Sequence, residues 1–354
     1  MRFLIISKNR FFKLINWEYW SSYFFYIPNL PYAFYLAIKS KHLVFFSVVN
    51  PCLKSSGNGT ESKYKTIKLL PLKYRPKSLL ITNKNSFDDF FLLLQNEKIN
   101  FPLIVKPDIG FRGLLVRKID SLQELKKYLR KYPISIIIQE FLDYKNECGI
   151  FYYRLPNKNN GEVSSITLKH FLVVVGDGVS TLQKLILADK RARLYIDLFN
   201  KIYRKKMNYI PKQNELFRLS YIGNHSKGAQ FINGNHLITK KIERAFDELS
   251  HQIQGWYYGR VDVKYNSIED LEKGNFKILE INGIISEPTH IYDSTSITYL
   301  KALKSIRTHW KFMYKIAKIN HKEKGVPYKS LKKFIKELLE LRVYIKKIKK
   351  LSSN

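Results

Sequence analysis

Two alternating stretches in the second half of the chain decide its fold: Gly259-Arg-Val-Asp-Val-Lys264 and Phe276-Lys-Ile-Leu-Glu-Ile-Asn282. Side chains two residues apart in a β-strand point to the same face. Arg260 and Asp262 would therefore share one face, and Glu280 and Asn282 would share another. Pairing of the two strands would gather two carboxylates, one amide and one guanidinium onto a single wall. The alternative is a pair of edge strands with solvated polar faces.

The chemistry of this wall favours a divalent cation. Carboxylate and amide oxygens suit Mg²⁺, or Mn²⁺, and Mg²⁺ usually keeps waters and bridges substrate phosphates. We therefore predict that Asp262, Glu280 and Asn282 are metal ligands. A neighbouring guanidinium suits negative charge that develops in a transition state, which is the role we expect for Arg260.

A second motif lies upstream, in Phe101-Pro-Leu-Ile-Val-Lys-Pro-Asp-Ile-Gly-Phe-Arg-Gly113. A short apolar strand there leads to Lys106, and a loop with Gly110 and Gly113 follows. Glycines allow backbone N–H groups to approach phosphate oxygens closely, and a lysine adds a point charge. The spacing differs from that of a P-loop, and a tight turn between strands is the alternative.

A third motif begins with a strand over 134–138 and continues as Gln139-Glu140-Phe141. A strand that ends in a polar hinge followed by an aromatic ring could hold a flat base. Glu147, a few residues on, could bind ribose hydroxyls. Each of these segments alone is more often structural than functional.

The order of the motifs resembles the ATP-grasp superfamily. The chain is most similar to D-alanine–D-alanine ligases and related carboxylate–amine ligases, over roughly residues 100–295. This resemblance implies an α+β fold in which two lobes clasp ATP. It also implies a reaction in which the γ-phosphate activates a small carboxylate as an acyl phosphate, which an amine then attacks.

The resemblance assigns a role to each matching residue. Lys106 and the loop with Gly110, Arg112 and Gly113 would contact the ATP phosphates, with Arg112 standing where family members often carry serines. The adenine hinge would be Gln139, Glu140 and Phe141, and Glu147 would bind the ribose. The metal ligands would be Asp262, Glu280 and Asn282, and Arg260 would stabilise the transition state.

Lys169 is a candidate for a second phosphate-binding lysine, and an ordinary strand lysine is an equal alternative. Two further clusters, 220–230 and 287–293, are candidates for binding the acceptor or closing the site. The second cluster contains His290, which is either a proton carrier or a packed side chain. The polar loop 50–63 is interpreted as a disordered connector, with substrate contact as the alternative.

The resemblance and the composition together suggest four regions. A divergent N-terminal region covers 1–98, and a small ATP-grasp lobe covers 99–165. A large lobe with the metal site covers 166–300, and a basic helical extension covers 301–354. A chain of 354 residues, 45% of them hydrophobic, can build several lobes.

The cysteines and the charge bear on location and partners. The two cysteines, Cys52 and Cys148, provide no disulfide framework, and no signal peptide is evident, so we expect a cytoplasmic protein. A net charge of +33 suggests nucleic-acid binding as one hypothesis, but no known nucleic-acid-binding signature accompanies the charge. The lysine content could equally come from AT-rich codon usage or serve contact with an anionic membrane surface.

Two segments keep peripheral membrane contact open. Residues 19–38 carry no formal charge and are rich in aromatic residues, but Pro28, Asn29 and Pro31 argue against a transmembrane helix. The tail, 327–354, predicts an amphipathic basic helix that either packs on its own protein or lies on anionic lipid. The alternative to a ligase is therefore a non-catalytic or peripheral-membrane ATP-binding protein.

Overall fold

The computed structural model describes residues 9, 11–82, 87–110 and 113–353. In chain order its strands are β1 Ser78–Ile81, β2 Leu103–Pro107, β3 Arg117–Ile119, β4 Ile136–Glu140, β5 Asn146–Tyr153, β6 Glu162–His170, β7 Val173–Val175, β8 Leu216–Arg218, β9 Gln230–Asn233, β10 Tyr258–Tyr265 and β11 Lys277–Asn282. Its α-helices are α1 Tyr23–Tyr26, α2 Leu30–Ser40, α3 Lys63–Lys68, α4 Phe87–Asn96, α5 Leu122–Lys131, α6 Leu182–Ala188, α7 Ile196–Ile202, α8 Lys240–Gln252, α9 Ile268–Glu272, α10 Tyr299–Lys322 and α11 Leu331–Ser353.

The strands form two main antiparallel sheets. The first has four strands in the order β1-β4-β2-β3, and the second has five in the order β11-β10-β5-β6-β9. A two-stranded ribbon of β7 and β8 stands apart from them. This mixture of helices and antiparallel sheets confirms the predicted α+β class.

Local sequence signals explain several element boundaries. Ser121 caps α5 by accepting from the backbone N–H of Glu124, and Thr181 caps α6 through Lys184 in the same way. The sequence Asn157-Lys-Asn-Asn-Gly161 predicts a hairpin turn, and it joins the antiparallel strands β5 and β6. The sequence also favours Ser86 as the N-cap of α4, but this residue lies outside the described residues.

The five-stranded sheet separates its core from the cleft by strand alternation. Cys148, Ile150 and Val263 point into a hydrophobic core that α8 covers with Phe246 and neighbouring side chains. The residues between them in the strands face the other way. The polar alternation in the sequence therefore marks one face of a sheet whose other face is buried.

The sheets divide the chain differently from the predicted regions. β1, from the expected N-terminal region, pairs with β4 in the first sheet. β5 and β6, which start before residue 165, belong to the second sheet. The boundary between the sheets therefore falls between residues 140 and 146, because antiparallel pairing rather than motif order sets it.

Trp17, Phe25 and Tyr26 pack on Tyr292 and on α10. Phe25 is fully buried and contacts the rings of Trp17, Tyr292 and Tyr299. None of the helices in the described ranges combines the length and apolar character needed to span a bilayer.

The C-terminal helix α11 packs on its own protein at both ends. Phe334 stacks edge-on against Phe46, and Ile348 is buried in the core of the four-stranded sheet. Leu341, between them, lines the cleft between the sheets.

Candidate functional site

A cleft of about 1140 Å³ lies between the four-stranded and five-stranded sheets. Every residue predicted to bind ATP or the metal, or to stabilise the transition state, lines it if it lies within the described ranges. These residues are Lys106, Gly110, Gly113, Gln139, Glu140, Phe141, Glu147, Lys169, Arg260, Asp262, Glu280 and Asn282. Arg112 lies outside the described residues.

The floor of the cleft is the antiparallel pair β10 and β11. Its register places Asp262 opposite Glu280 and Arg260 opposite Asn282. The predicted wall of two carboxylates, an amide and a guanidinium therefore forms. On the neighbouring strand β5, Gly149 leaves room for it, because a Cβ there would lie 3.0 Å from Arg260 Cδ and 3.1 Å from Asp262 Oδ1.

Asp262 is held as an anion by two cations. Arg260 donates from Nε to Oδ1 at 3.0 Å and from an Nη atom to Oδ2 at 3.3 Å, and Lys169 Nζ lies 3.1 Å from Oδ1. Burial alone would raise the pKa of Asp262, but the charges of Arg260 and Lys169 outweigh it and lower the pKa to about 2.

Lys169 belongs to the cleft rather than to an ordinary strand surface. Its Nζ lies 2.9 Å from Glu147 Oε1, and both side chains are 5% exposed. Burial lowers the pKa of Lys169, but the charges of Asp262 and Glu147 raise it by more than burial lowers it, so the pKa lies above its ordinary value. The structure thus links the predicted ribose residue to the predicted metal residue through one ammonium group.

Lys106 reaches across the cleft from the first sheet to the second. Its Nζ donates to Gln139 Oε1 on β4 at 3.1 Å and to the carbonyl oxygen of Leu279 on β11 at 3.2 Å. Burial lowers the pKa of Lys106 to about 8, although Glu280 opposes the shift. Its ammonium is therefore placed where the two sheets meet.

Of the three hinge residues, Gln139 is buried, whereas Glu140 and Phe141 are half-buried. The Gln139 side chain is buried and also donates to Ser78 Oγ at 3.1 Å. Glu140 accepts from the backbone N–H of Lys77. The ring of Phe141 lies between two ammonium groups, 5.2 Å from Lys118 Nζ and 5.9 Å from Lys264 Nζ. A planar group would meet a basic, aromatic surface here.

Lys63 is a cleft residue that the sequence analysis missed. It begins α3, and its Nζ forms an ion pair with Glu280. Burial would raise the pKa of Glu280, but Lys63 is the strongest influence in the opposite direction and the net shift is downward. No local pattern marks Lys63, because its partner is distant in sequence and is reached only through the tertiary fold.

The interpretation of loop 50–63 as a disordered connector is wrong. The backbone N–H groups of Ile284 and Ile285 donate to the carbonyls of Ser56 and Gly57 at 3.0 and 3.1 Å, which fixes the loop against the end of β11. Ser56, Asn58 and Thr60 are buried, and Gly59 and Glu61 line the cleft. The loop is a wall of the site.

Each of the two further predicted clusters lines the cleft in part. Tyr221 through Ser226 face the cleft beside Glu147. Glu287 lines it too, and its two carboxylate oxygens accept from the hydroxyls of Tyr26 at 2.5 Å and Tyr292 at 2.7 Å. His290 does not line it, and burial lowers the pKa of His290 to about 4.

The donor set fits Mg²⁺ by type and register. Asp262 and Glu280 provide the only carboxylates of the predicted triad, and the buried Asn282 Nδ2 has no hydrogen-bond partner. Among the described residues, no group of three or more His, Cys, Asp or Glu side chains is gathered for a metal. A cation here would therefore need the amide oxygen, waters or phosphate oxygens to complete its shell.

Comparisons with known proteins match part of the chain to one family model. Residues 60–158 match the model of the RimK-like ATP-grasp domain. No curated protein matches the chain.

Three solved structures overlap with it in part. The VanG D-Ala:D-Ser ligase from Enterococcus faecalis shares 14% identity, with 73% of this chain and 64% of that chain covered and a TM-score of 0.42. A D-alanine–D-alanine ligase from Bacillus anthracis complexed with ATP shares 14%, covering 74% and 70%, with a TM-score of 0.41. An L-amino acid ligase from Bacillus licheniformis shares 15%, covering 73% and 50%, with a TM-score of 0.40.

This chain thus spans less than two thirds of the length of the VanG ligase. The family match covers residues 60–158, so it is this part of the α+β chain, which includes the four-stranded sheet and β5, that is similar to a RimK-like ATP-grasp domain.

Proposed function

We propose that this protein is an ATP- and Mg²⁺-dependent ligase that activates a small carboxylate as an acyl phosphate for attack by an amine. The observation that carries the proposal is the convergence of Lys106, Lys169, Arg260, Asp262 and Glu280 in one cleft between two sheets. These residues come from both sheets and lie up to 174 positions apart in the sequence.

The charges divide the cleft by function. Lys106 and Lys169 would bind phosphate oxygens, since each is a buried ammonium beside the nucleotide-sized space. Arg260 also donates from Nη1 to the carbonyl oxygen of Glu287 at 3.2 Å, which fixes its guanidinium at the substrate end. A fixed donor there would stabilise the oxyanion of a tetrahedral intermediate.

Asp262, Glu280 and Asn282 would hold the metal. When bound, Mg²⁺ would neutralise phosphate charge and orient the γ-phosphate. Gln139, Glu140 and Phe141 would receive the adenine, and Glu147 the ribose. All of these side chains line the cleft, which supports the proposed roles.

The test is release of ADP and phosphate when the purified protein is offered ATP, Mg²⁺, and panels of small carboxylates and amines. We expect Asp262→Asn and Glu280→Gln to lower turnover by at least about a hundredfold. The matched control is Glu269→Gln, an exposed carboxylate at the start of α9, which should leave turnover unchanged.

Asp262 is buried among cations, so its variant also needs a folding check by thermal unfolding. Asn282→Ala provides a second probe, because the Asn282 Nδ2 atom has no hydrogen-bond partner to lose. Turnover that survives in well-folded Asp262→Asn and Asn282→Ala would overturn the metal assignment.

One observation favours a second candidate, an ATP-binding protein without turnover. Lys63, Lys169 and Arg260 together occupy the carboxylates that would bind the metal. ATP binding by calorimetry, with equal affinity in the presence and absence of Mg²⁺ and no ADP release with any substrate pair, would support this second function over the first.

A further inference from the structure

A row of large, exposed apolar side chains lies along α2 and the single turn, Ile27–Asn29, that precedes it. Ile27, Leu30, Phe34 and Ile38 are 58%, 41%, 60% and 77% exposed. Their spacing of three, four and four residues places them on one side of the helical segment. We call these four side chains the apolar stripe. A contiguous exposed apolar surface of this kind marks an interaction site.

The opposite side of the same segment is already buried. Phe25, Leu36 and Ala37 face the protein core. The apolar stripe is therefore not the core-facing side of a displaced helix, and packing among the described residues does not account for it.

Helix α10 lies against α2 and presents a row of exposed basic side chains, which we call the basic stripe: Lys304, Arg307, Lys311, Lys315 and Lys318. They recur at intervals of three and four residues. The buried side chains of α10, including Ile306, Met313 and Ile316, lie on the other side of the helix. The basic stripe therefore faces away from the core.

Two contacts place the stripes side by side. Arg307 Nε donates to Asn29 Oδ1 at 2.5 Å, at the start of α2. Lys39, next to Ile38 at the other end of α2, has its Nζ 5.7 Å from the ring of Tyr314 on α10. The two helices are thus joined at both ends of the apolar stripe by basic side chains.

Acidic residues are absent from both segments of the sequence. Neither 19–60 nor 294–322 contains an aspartate or glutamate. The basic stripe therefore has no countercharge within its own segments, which favours the attraction of an anionic surface.

We propose that α2, the turn before it and α10 form a docking surface for an anionic lipid bilayer, with the apolar stripe entering the boundary between headgroups and acyl chains and the basic stripe contacting the headgroups. This combination of an apolar helical face and adjacent lysines is what interfacial membrane binding requires. A nucleic acid would satisfy the basic stripe but leave the apolar stripe in water. A second copy of this chain would bring like charges together.

The test is co-sedimentation of the full chain with vesicles. We expect binding to vesicles that contain phosphatidylglycerol, little binding to pure phosphatidylcholine, and weakening by salt. Phe34→Ser with Ile38→Ser should lower the partition coefficient by at least about tenfold, because two exposed apolar side chains lose their burial in lipid. Lys304→Glu with Lys311→Glu should lower it by a similar factor.

The matched controls lie on α11, which is also basic and partly exposed. Leu339→Ser with Val343→Ser removes two apolar side chains that are 56% and 69% exposed. Lys346→Glu with Lys350→Glu reverses two exposed charges. Both control variants should bind vesicles like the unmodified protein.

Three results would overturn the proposal. Equal losses in the α11 variants would show diffuse charge attraction without a docking surface. Binding of polyuridine RNA with no binding to anionic vesicles would assign the basic stripe to nucleic acid. A dimer detected by light scattering and abolished by Phe34→Ser with Ile38→Ser would assign the apolar stripe to a second copy.

Discussion

The ammonium group of Lys169 lies 2.9 Å from the carboxylate of Glu147, on the adjacent strands β6 and β5, with both side chains almost fully buried. The same ammonium lies 3.1 Å from Asp262. A buried pair of this kind is ordered before any ligand arrives. The site is therefore built around a fixed cation rather than a flexible surface lysine.

Breaking this pair should cost stability. Glu147→Gln removes one charge and leaves the Lys169 ammonium with Asp262 alone, so we expect the free energy of unfolding to fall by about 3 kcal/mol in urea denaturation. The control is Glu243→Gln, which breaks an ion pair to Lys240, a side chain that is 86% exposed. That change should stay within about 0.5 kcal/mol. Equal small losses would show that the buried pair contributes no more than a surface pair.

ATP affinity should fall as the pH rises through 8. Burial lowers the pKa of Lys106 to about 8, so the protein carries an ammonium below that pH and a neutral amine above it. We expect the Kd for ATP to rise by up to about tenfold per pH unit above pH 8, as measured by calorimetry.

Lys106→Arg provides the control, because a guanidinium stays protonated in this range. Its Kd should be flat from about pH 7 to about pH 9.5. A similar slope in Lys106→Arg would assign the titration to another group. The linked effect on stability has the opposite sense: the unfolded chain binds more protons than the folded one between pH 8 and about 10.4, so the Lys106 contribution to stability rises with pH there.

Removing the cation at residue 63 should strengthen Mg²⁺ binding. Lys63 forms an ion pair with Glu280 and helps to keep the pKa of that carboxyl low. A divalent cation must compete with Lys63 for the same oxygen. We therefore expect Lys63→Met to bind Mg²⁺ more tightly in a calorimetric titration without nucleotide. Lys65→Met, an exposed lysine on the same helix, is the control. Weaker binding in Lys63→Met would show that Lys63 positions the site instead of competing for it.

A methyl group at residue 57 should disrupt the wall of the cleft. Gly57 has φ +80°, and a Cβ there would lie 2.6 Å from the Cα of Gly283, directly after β11. Neither backbone can yield cheaply, so we expect Gly57→Ala to lower the free energy of unfolding by at least about 3 kcal/mol. Gly325→Ala isolates the backbone effect, because Gly325 has φ +67° with nothing within 4 Å. That control should lose only about 1 kcal/mol. Equal losses would place the whole cost in the dihedral angle.

Much of the site could be predicted from the sequence because its residues alternate along strands. Arg260 and Asp262 share a face by strand geometry, and Glu280 and Asn282 oppose them once β10 and β11 pair. The order of the motifs along the chain indicated the rest of the fold.

The parts that could not be predicted depend on contacts between distant segments. Lys63 reaches Glu280 only after loop 50–63 has packed against the end of β11. That loop is polar and rich in small residues, which is also the composition of a mobile connector. Its order comes from Ile284 and Ile285, whose backbone groups complete its hydrogen bonds. Strand pairing likewise joins segments that are distant in the sequence, as β1 and β4 are in the first sheet.

Helix α11 ties the two halves of the molecule together. One end is held by Phe46 of the N-terminal region and the other by the core of the four-stranded sheet, with Leu341 at the mouth of the cleft. A change in the distance between the sheets would have to bend this helix or detach one of its ends. Helix α11 therefore limits how far the four-stranded sheet can move away from the N-terminal region around Phe46.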